Sequence, residues 1–234
     1  MDSLTKDRPN APGFWVVLEG PDGAGKTTQA RLVEERLAGM GFQTLLVREP
    51  GGTEAGERIR SILKDRGAPL EPMAEALLFF AARVQLLHAR IIPALRAGKV
   101  VVCDRWVDST LVYQGIAGAT PTQKPLQLCM LLEEKLLEGW KPDARLYLDA
   151  PLQILLERLS ASGGGKDRFE SRGESFFVKV VEGYRTLSKS PDCFRVDAEA
   201  RVGDVTNKIL RLLTARLSRL KLRDAAGSVI ALIN

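Results

Sequence analysis

The sequence predicts an α/β domain, a mostly parallel sheet with helices on both faces, and three observations carry that prediction. Short apolar runs that read as strands alternate with stretches of helical periodicity over most of the 234 residues. Two of those runs, 14–18 and 100–103, are apolar at every position, as strands are when both faces of their sheet are covered. The first run passes through a glycine-rich turn straight into a helical pattern, the strand–turn–helix unit of parallel sheets.

Taken in order, Phe14-Trp-Val-Val-Leu18 is a buried strand ending in Gly-Pro-Asp-Gly. After Lys26, Ala30, Val33, Leu37 and Met40 recur at helical spacing and Gly41 is the stop. Residues 44–47 form a second strand, and a helix after Gly52 buries the stripe Ile59, Ile62 and Leu63. Residues 71–95 make a long apolar-rich helix, bent near Pro93. The run 100–103 closes on Asp104 and reads as a central parallel strand with both faces covered. Helix 125–138, strand 145–148 and helix 152–159 follow, then a polar flexible stretch at 160–166 (Ser-Ala-Ser-Gly-Gly-Gly-Lys), helix 174–189, strand 194–196 and helix 203–221. The implied organisation is a short disordered lead over 1–13, one domain over 14–214 and a C-terminal extension over 215–234.

Composition narrows the function classes. Hydrophobic residues are 45% and charged residues 27%, as in a globular enzyme with a sizeable core. The net charge of +5 suits a polyphosphate ligand. The basic run Arg211, Arg216, Arg219, Lys221, Arg223 reads as a solvated helix face, so a nucleic-acid partner is not expected. Cysteines at 103, 129 and 193 lack metal or disulfide-framework spacing and read as reduced thiols in a cytoplasm. No uninterrupted apolar run reaches the ~18 residues of a membrane span. His88, the single histidine, reads as structural.

Gly20-Pro-Asp-Gly-Ala-Gly-Lys-Thr matches G-x-x-x-x-G-K-[ST] between a strand and a helix. Glycines let successive N–H groups turn inward onto phosphate, and the helix N-terminus adds partial positive charge. The loop residues Gly20, Pro21, Asp22, Gly23, Ala24, Gly25, Lys26, Thr27 and Thr28 are therefore the candidate ATP site, with Lys26 reaching the β- and γ-phosphates and the Thr27 hydroxyl ligating Mg²⁺. Asp104 supplies the acidic group at a neighbouring strand end, a second candidate ligand for Mg²⁺. The fold is thus of the P-loop NTPase type. Asn207-Lys208 is followed by Ile-Leu, so a guanine-reading Asn-Lys-x-Asp is absent. Arg48, Arg105 and Arg168 stand at expected loop positions, where small-molecule kinases need cations around a transferred phosphoryl group.

At these residues the chain resembles a known family. Glu19-Gly-Pro-Asp-Gly-Ala-Gly-Lys-Thr-Thr-Gln29, Arg48-Glu-Pro-Gly-Gly-Thr53, Leu78-Phe-Phe-Ala-Ala-Arg83, Asp104-Arg-Trp-Val-Asp-Ser109, Tyr113-Gln-Gly115 and Asp167-Arg-Phe-Glu170 occur in the order found in bacterial thymidylate kinases. The resemblance covers roughly residues 14–210. It implies transfer of the γ-phosphoryl of ATP to dTMP with Mg²⁺, a homodimer, and a short mobile lid near 160–170. It implies that Asp22 accepts from the dTMP 3′-hydroxyl, Phe79 stacks on thymine, Arg83 donates to a thymine carbonyl and Arg105 grips the dTMP phosphate. Tyr113 and Gln114 would line sugar and base, with Arg48, Glu49, Pro50 and Ser109 as walls.

Catalysis would rest on Lys26, Arg105, Asp104 and the lid cations Lys166 and Arg168, with no general base because the acceptor is already an anion. The sequence departs from the family at the lid, which lacks one arginine of Arg-x-Arg-Gly, leaving Arg158, Lys166 and Arg168 to reach the ATP phosphates. It departs again at Ala82, where an acid commonly precedes the arginine. The same loop would also serve a kinase of another nucleotide or deoxynucleoside, or a nucleotide-binding paralogue with weak catalysis.

Overall fold

The computed structural model describes residues 11–65, 67, 69–119, 125–161 and 173–217. Five strands form one parallel sheet: β1 (Phe14–Glu19), β2 (Thr44–Arg48), β3 (Val100–Asp104), β4 (Ala144–Asp149) and β5 (Cys193–Asp197), in the order β2-β3-β1-β4-β5. The register aligns Asp104 of β3 with both Leu18 of β1 and Arg48 of β2. β3 lies inside the sheet, as its unbroken apolar run predicts, and every residue of β1 and β3 is buried.

Side-chain alternation divides the core. Phe14, Val16 and Leu18, with Val100 and Val102, meet α1 (Lys26–Gly39) and α9 (Val202–Leu217) through Ala30, Val33, Leu37, Ile209 and Leu213. Fully burying Val33 or Leu37 stabilises by roughly 1.5–3 kcal/mol each. Trp15 and Val17, with Val101 and Cys103, meet α3 (Pro72–Leu86), α4 (Ile92–Arg96) and α6 (Pro125–Leu136) through Phe80, Leu95 and Cys129 on the other face.

Two predicted stripes are trimmed. In α2 (Glu54–Lys64), whose Thr53 cap accepts from the Gly56 amide at 3.0 Å, the inward face is that of Gly56 and Leu63. Ile62 on the opposite side is 48% exposed. Met40 is exposed too, at the end of α1, just before Gly41 at φ 93°.

The predicted helix 71–95 is α3, a π-helical turn Leu87–Ile91 and α4. In that turn the Ile92 amide reaches the Leu87 carbonyl, five residues back. The irregularity thus precedes Pro93, which sits in the first turn of α4. By length and composition Pro72–Arg96 would be apolar enough to cross a membrane, but Phe80, Leu86, Leu87, Ile91 and Leu95 are buried in the core. His88 is exposed.

The sequence reading assigned no element to 105–117, where α5 (Val107–Thr110) runs into a second π-helical segment, Leu111–Ala117. With β4 and α8 (Glu174–Leu187) that segment encloses a third cluster of Val112, Tyr113, Tyr147, Val180 and Tyr184. α7 (Leu152–Ala161) follows β4. Most of the predicted lid, residues 1–10 of the predicted lead and most of the predicted C-terminal extension lie outside the described residues.

Candidate active site

The carboxyl ends of the strands carry the chemistry, and the phosphate loop is their centre. Gly20 and Gly23 have φ of 140° and 83°. A Cβ at Gly20 would stand 2.5 Å from the Leu148 carbonyl oxygen, and one at Gly23 2.6 Å from that of Leu155. Only glycine fits the loop against β4 and α7. α1 begins without a side-chain cap, which leaves its first amides for an anion. Lys26 is buried and folds back, its Nζ donating to the Pro21 carbonyl at 2.7 Å and standing 3.9 Å from Asp22. Burial, helped by the Arg105 charge, lowers the ammonium to about 8.

Thr27 Oγ1 donates to Asp104 Oδ2 at 2.6 Å, while Asp104 Oδ1 is buried without a hydrogen-bond partner among the described residues. A hydroxyl beside an orphaned carboxylate oxygen is a hard-oxygen donor set. Mg²⁺ takes one or two such ligands and completes its shell with phosphate and water. These residues fit Mg²⁺, and among the described residues no cluster of three His, Cys, Asp or Glu offers another metal site.

Across the loop, Arg105 follows β3 in the left-handed region at φ 73°, its amide donating to the Leu18 carbonyl at 2.9 Å. Its guanidinium is ion-paired with Asp22, and its Nη1 donates to Gly20 O at 3.3 Å, Ser109 Oγ at 3.0 Å and Tyr184 Oη at 3.3 Å. The Tyr113 hydroxyl donates to Asp22 Oδ2 at 2.8 Å and accepts from the Asp22 amide at 3.1 Å. Burial alone would raise the Asp22 carboxyl, but the Arg105 and Lys26 charges outweigh it and hold the group below its ordinary value.

A third layer lies deeper. Arg83 is 1% exposed; its Nε donates to Glu49 Oε2 at 2.8 Å, and its Nη2 donates to Trp106 O at 3.1 Å and Thr110 Oγ1 at 2.9 Å. Burial pushes the Glu49 carboxyl up to about 7 even against the Arg83 charge. Gln114 Nε2 donates to Glu75 Oε2 at 3.2 Å, which fixes its amide orientation, since a carboxylate accepts only from the NH₂ side. Arg83 Nη1, Gln114 Oε1 and Glu49 Oε1 are buried without partners among the described residues.

A cavity of about 790 Å³ joins these groups. Of the sequence-predicted residues, Asp22, Gly23, Ala24, Gly25, Lys26, Thr27, Thr28, Arg48, Glu49, Pro50, Phe79, Asp104, Arg105, Ser109, Tyr113 and Gln114 line it. Gly20 and Pro21 do not, and serve through their carbonyls. Arg83 does not line it either: it stands within the wall, and Phe79 reaches the cavity without it. Arg48 lines the cavity while paired with Glu57 at 3.0 Å.

Lys166 and Arg168 lie outside the described residues. Arg158 reaches the cavity, with its Nη1 donating to the Ala198 carbonyl at 2.9 Å in the loop after β5.

Sequence reasoning missed one end of the cavity, formed by Leu159, Ala198, Ala200, Val202 and Val205, and it missed Gln29, Arg60, Leu63 and Lys64. Gln29 bridges α1 to α9, donating to Val202 O at 2.9 Å and accepting from Thr206 at 2.8 Å. Arg60 donates to Pro50 O at 2.8 Å. Its spacing from Gly56 and Leu63, four before and three after, is the signal that would have put it on the inward face.

This sheet order, a glycine-walled phosphate loop and an acidic strand end beside it define a P-loop nucleotide-binding α/β protein. A family model described as thymidylate kinase matches residues 18–209, and the chain belongs to the thymidylate kinase family. It is 40% identical over 208 residues to the thymidylate kinase of Caulobacter vibrioides, covering 88% of this chain and 98% of that one. It is 38% identical over 208 residues to that of Caldicellulosiruptor saccharolyticus, with the same coverage. The thymidylate kinase of Gluconobacter oxydans is 43% identical over 184 residues, 79% of this chain and 85% of its own.

Proposed function

We infer that the protein transfers the γ-phosphoryl group of ATP to dTMP, giving dTDP and ADP, as a step in dTTP biosynthesis. The observation that supports the acceptor is two orphaned groups, an acceptor on the cavity lining, Gln114 Oε1, and a donor within the wall, Arg83 Nη1. A thymine edge offers the complement, a carbonyl oxygen beside an N–H. Cytosine reverses that pattern, so it would leave both protein groups unpaired. Phe79 would cover the ring from the cavity side, and Asp22 with Tyr113 would hold the sugar.

The donor would lie along the loop. Its phosphates meet the first amides of α1 and Lys26, and its base meets the apolar end at Val202 and Val205. Mg²⁺ held by Thr27 and Asp104 would supply charge neutralisation between the phosphates. Arg105 would leave Asp22 to grip the acceptor phosphate and line it up with the γ-phosphoryl group. Lys26 would follow charge onto the departing oxygens. The acceptor phosphate is itself the nucleophile, so the site needs no proton abstraction. Lys166 and Arg168 are retained as the lid cations of this reading.

We further propose a homodimer in the cytoplasm. The exposed apolar side chains Met73 and Leu77 on α3, and Met130 and Leu131 on α6, support the first. Three free cysteines suit the second.

The test is a panel of nucleoside monophosphates with Mg²⁺-ATP, following ADP release. The expected result is kcat/KM for dTMP at least ~100-fold above that for dCMP. A preference for dCMP or a purine, or no turnover of any of them, would displace the assignment.

A further inference from the structure

Glu19, the last residue of β1, is a buried carboxylate with no cation paired to it among the described residues. It is fully satisfied nonetheless. Oε1 accepts from the Trp106 amide at 2.7 Å and the Ser109 amide at 3.3 Å. Oε2 accepts from the Ser109 hydroxyl at 2.7 Å and the Tyr184 hydroxyl at 3.2 Å. Every one of these donors belongs to a residue that adjoins Arg105 in sequence or touches its guanidinium through a hydroxyl. Ser109 and Tyr184 are the two hydroxyls to which Arg105 Nη1 donates, and they stand 2.8 Å from each other.

A hydroxyl that accepts from a guanidinium must point its own hydrogen elsewhere. An ionised carboxylate accepts only, so it draws both hydroxyl hydrogens to itself and turns both lone pairs toward Arg105. We propose that Glu19 is a positioning residue for Arg105, ordering the Ser109 and Tyr184 hydroxyls as acceptors and pinning the turn that holds Arg105 in its left-handed conformation. The φ of 73° is disfavoured for any residue but glycine and persists only where surrounding bonds over-determine it. Tyr184 belongs to α8, so the chain of bonds ties that helix to the acceptor grip. The proposal rests on the reading of Arg105 as that grip.

The isosteric variant discriminates this from mere packing. In Glu19→Gln the two backbone amides demand the carbonyl oxygen at the Oε1 position, which leaves the NH₂ facing both hydroxyls. Their hydrogens are then driven toward Arg105, with shape unchanged. Kinetics at pH 8 should show kcat/KM for dTMP reduced ~10–100-fold, the loss of charge-assisted hydrogen bonds, with KM for ATP within about twofold of wild type. Tyr184→Phe and Ser109→Ala should each lose less. Glu19→Gln added to the Ser109→Ala/Tyr184→Phe protein should cost under about threefold, because the bonds it acts through are gone.

Wild-type kinetics in Glu19→Gln, or its full effect in the double-variant background, would overturn the proposal. Guanidinium NMR of the ligand-free protein, assigned with Arg105→Lys, gives a reading that needs no turnover. Rotation about the Arg105 Cζ–Nε bond should quicken at least ~10-fold in both Glu19→Gln and Tyr184→Phe, and unchanged rotation would sink the proposal even if dTMP proves not to be the acceptor.

Discussion

The Arg105 guanidinium and the Asp22 carboxylate are ion-paired across the phosphate loop, so the two groups assigned to opposite ends of the acceptor hold each other in the free protein. On the proposed reading substrate would exchange those partners, the 3′-hydroxyl taking Asp22 and the phosphate taking Arg105. Asp22→Ala should raise KM for dTMP by ~10–100-fold, the worth of a hydrogen bond to a charged group. Steady-state rates at saturating ATP measure it, and an unchanged KM would remove Asp22 from the acceptor site.

Among the described residues the buried Lys26 ammonium has a carbonyl and a carboxylate as partners. The proposed function moves it from these to phosphate. Lys26→Ala should lower kcat by at least ~10²–10³ while leaving the circular-dichroism melt intact. Retention of a tenth of wild-type kcat would assign the transition-state charge elsewhere.

Glu49→Ala tests the deep wall as a structural element. It leaves the Arg83 guanidinium, 1% exposed, with no carboxylate. An uncompensated buried charge of this kind costs ~3–5 kcal/mol. Urea unfolding should show that loss, and Glu49→Ala/Arg83→Met should recover much of it. A loss under 1 kcal/mol would mean that solvent reaches Arg83.

Burial, with the nearby Asp108 charge, pushes the Glu19 carboxyl from 4.5 up to about 7. Between those values the folded protein holds a proton that the unfolded chain has released. Stability contributed by this group therefore falls as pH rises through that window, by up to ~3 kcal/mol. Unfolding free energies at pH 5.5 and pH 8 should differ less in Glu19→Gln than in wild type. An identical slope in both proteins would place the Glu19 pKa near its ordinary value.

The strands and the phosphate loop were legible because their signals are local. Unbroken apolar runs read as buried strands, and the glycine spacing of 20–25 carries its own physics. The segment 105–117 was not legible. Val107, Thr110 and Val112 are β-branched and Gly115 breaks the pattern, so its helix comes from packing against α3, α6 and α8 and not from propensity. The same limit hid Tyr184, 79 residues from Arg105 along the chain. Glu19 was quoted within its motif, yet a carboxylate at a strand end gives no local sign that four donors will surround it. Arg83 follows Phe79 by four residues, a spacing that puts both on one helix face but does not tell a lining side chain from one within the wall.

Leu18, Asp104 and Arg48 stand in one row of the sheet, and the phosphate loop, the metal-ligand candidate and the Arg-Glu-Pro turn all depart from that row. The molecule is therefore tolerant of length changes at one end and intolerant at the other. Loops entering the strands can grow or shrink without disturbing the row. One residue inserted within β3 would advance Asp104 and Arg105 by about 3.3 Å and turn each to the opposite face. Insertions that such a lineage can survive belong at the amino ends of its strands, on the side away from the phosphate loop.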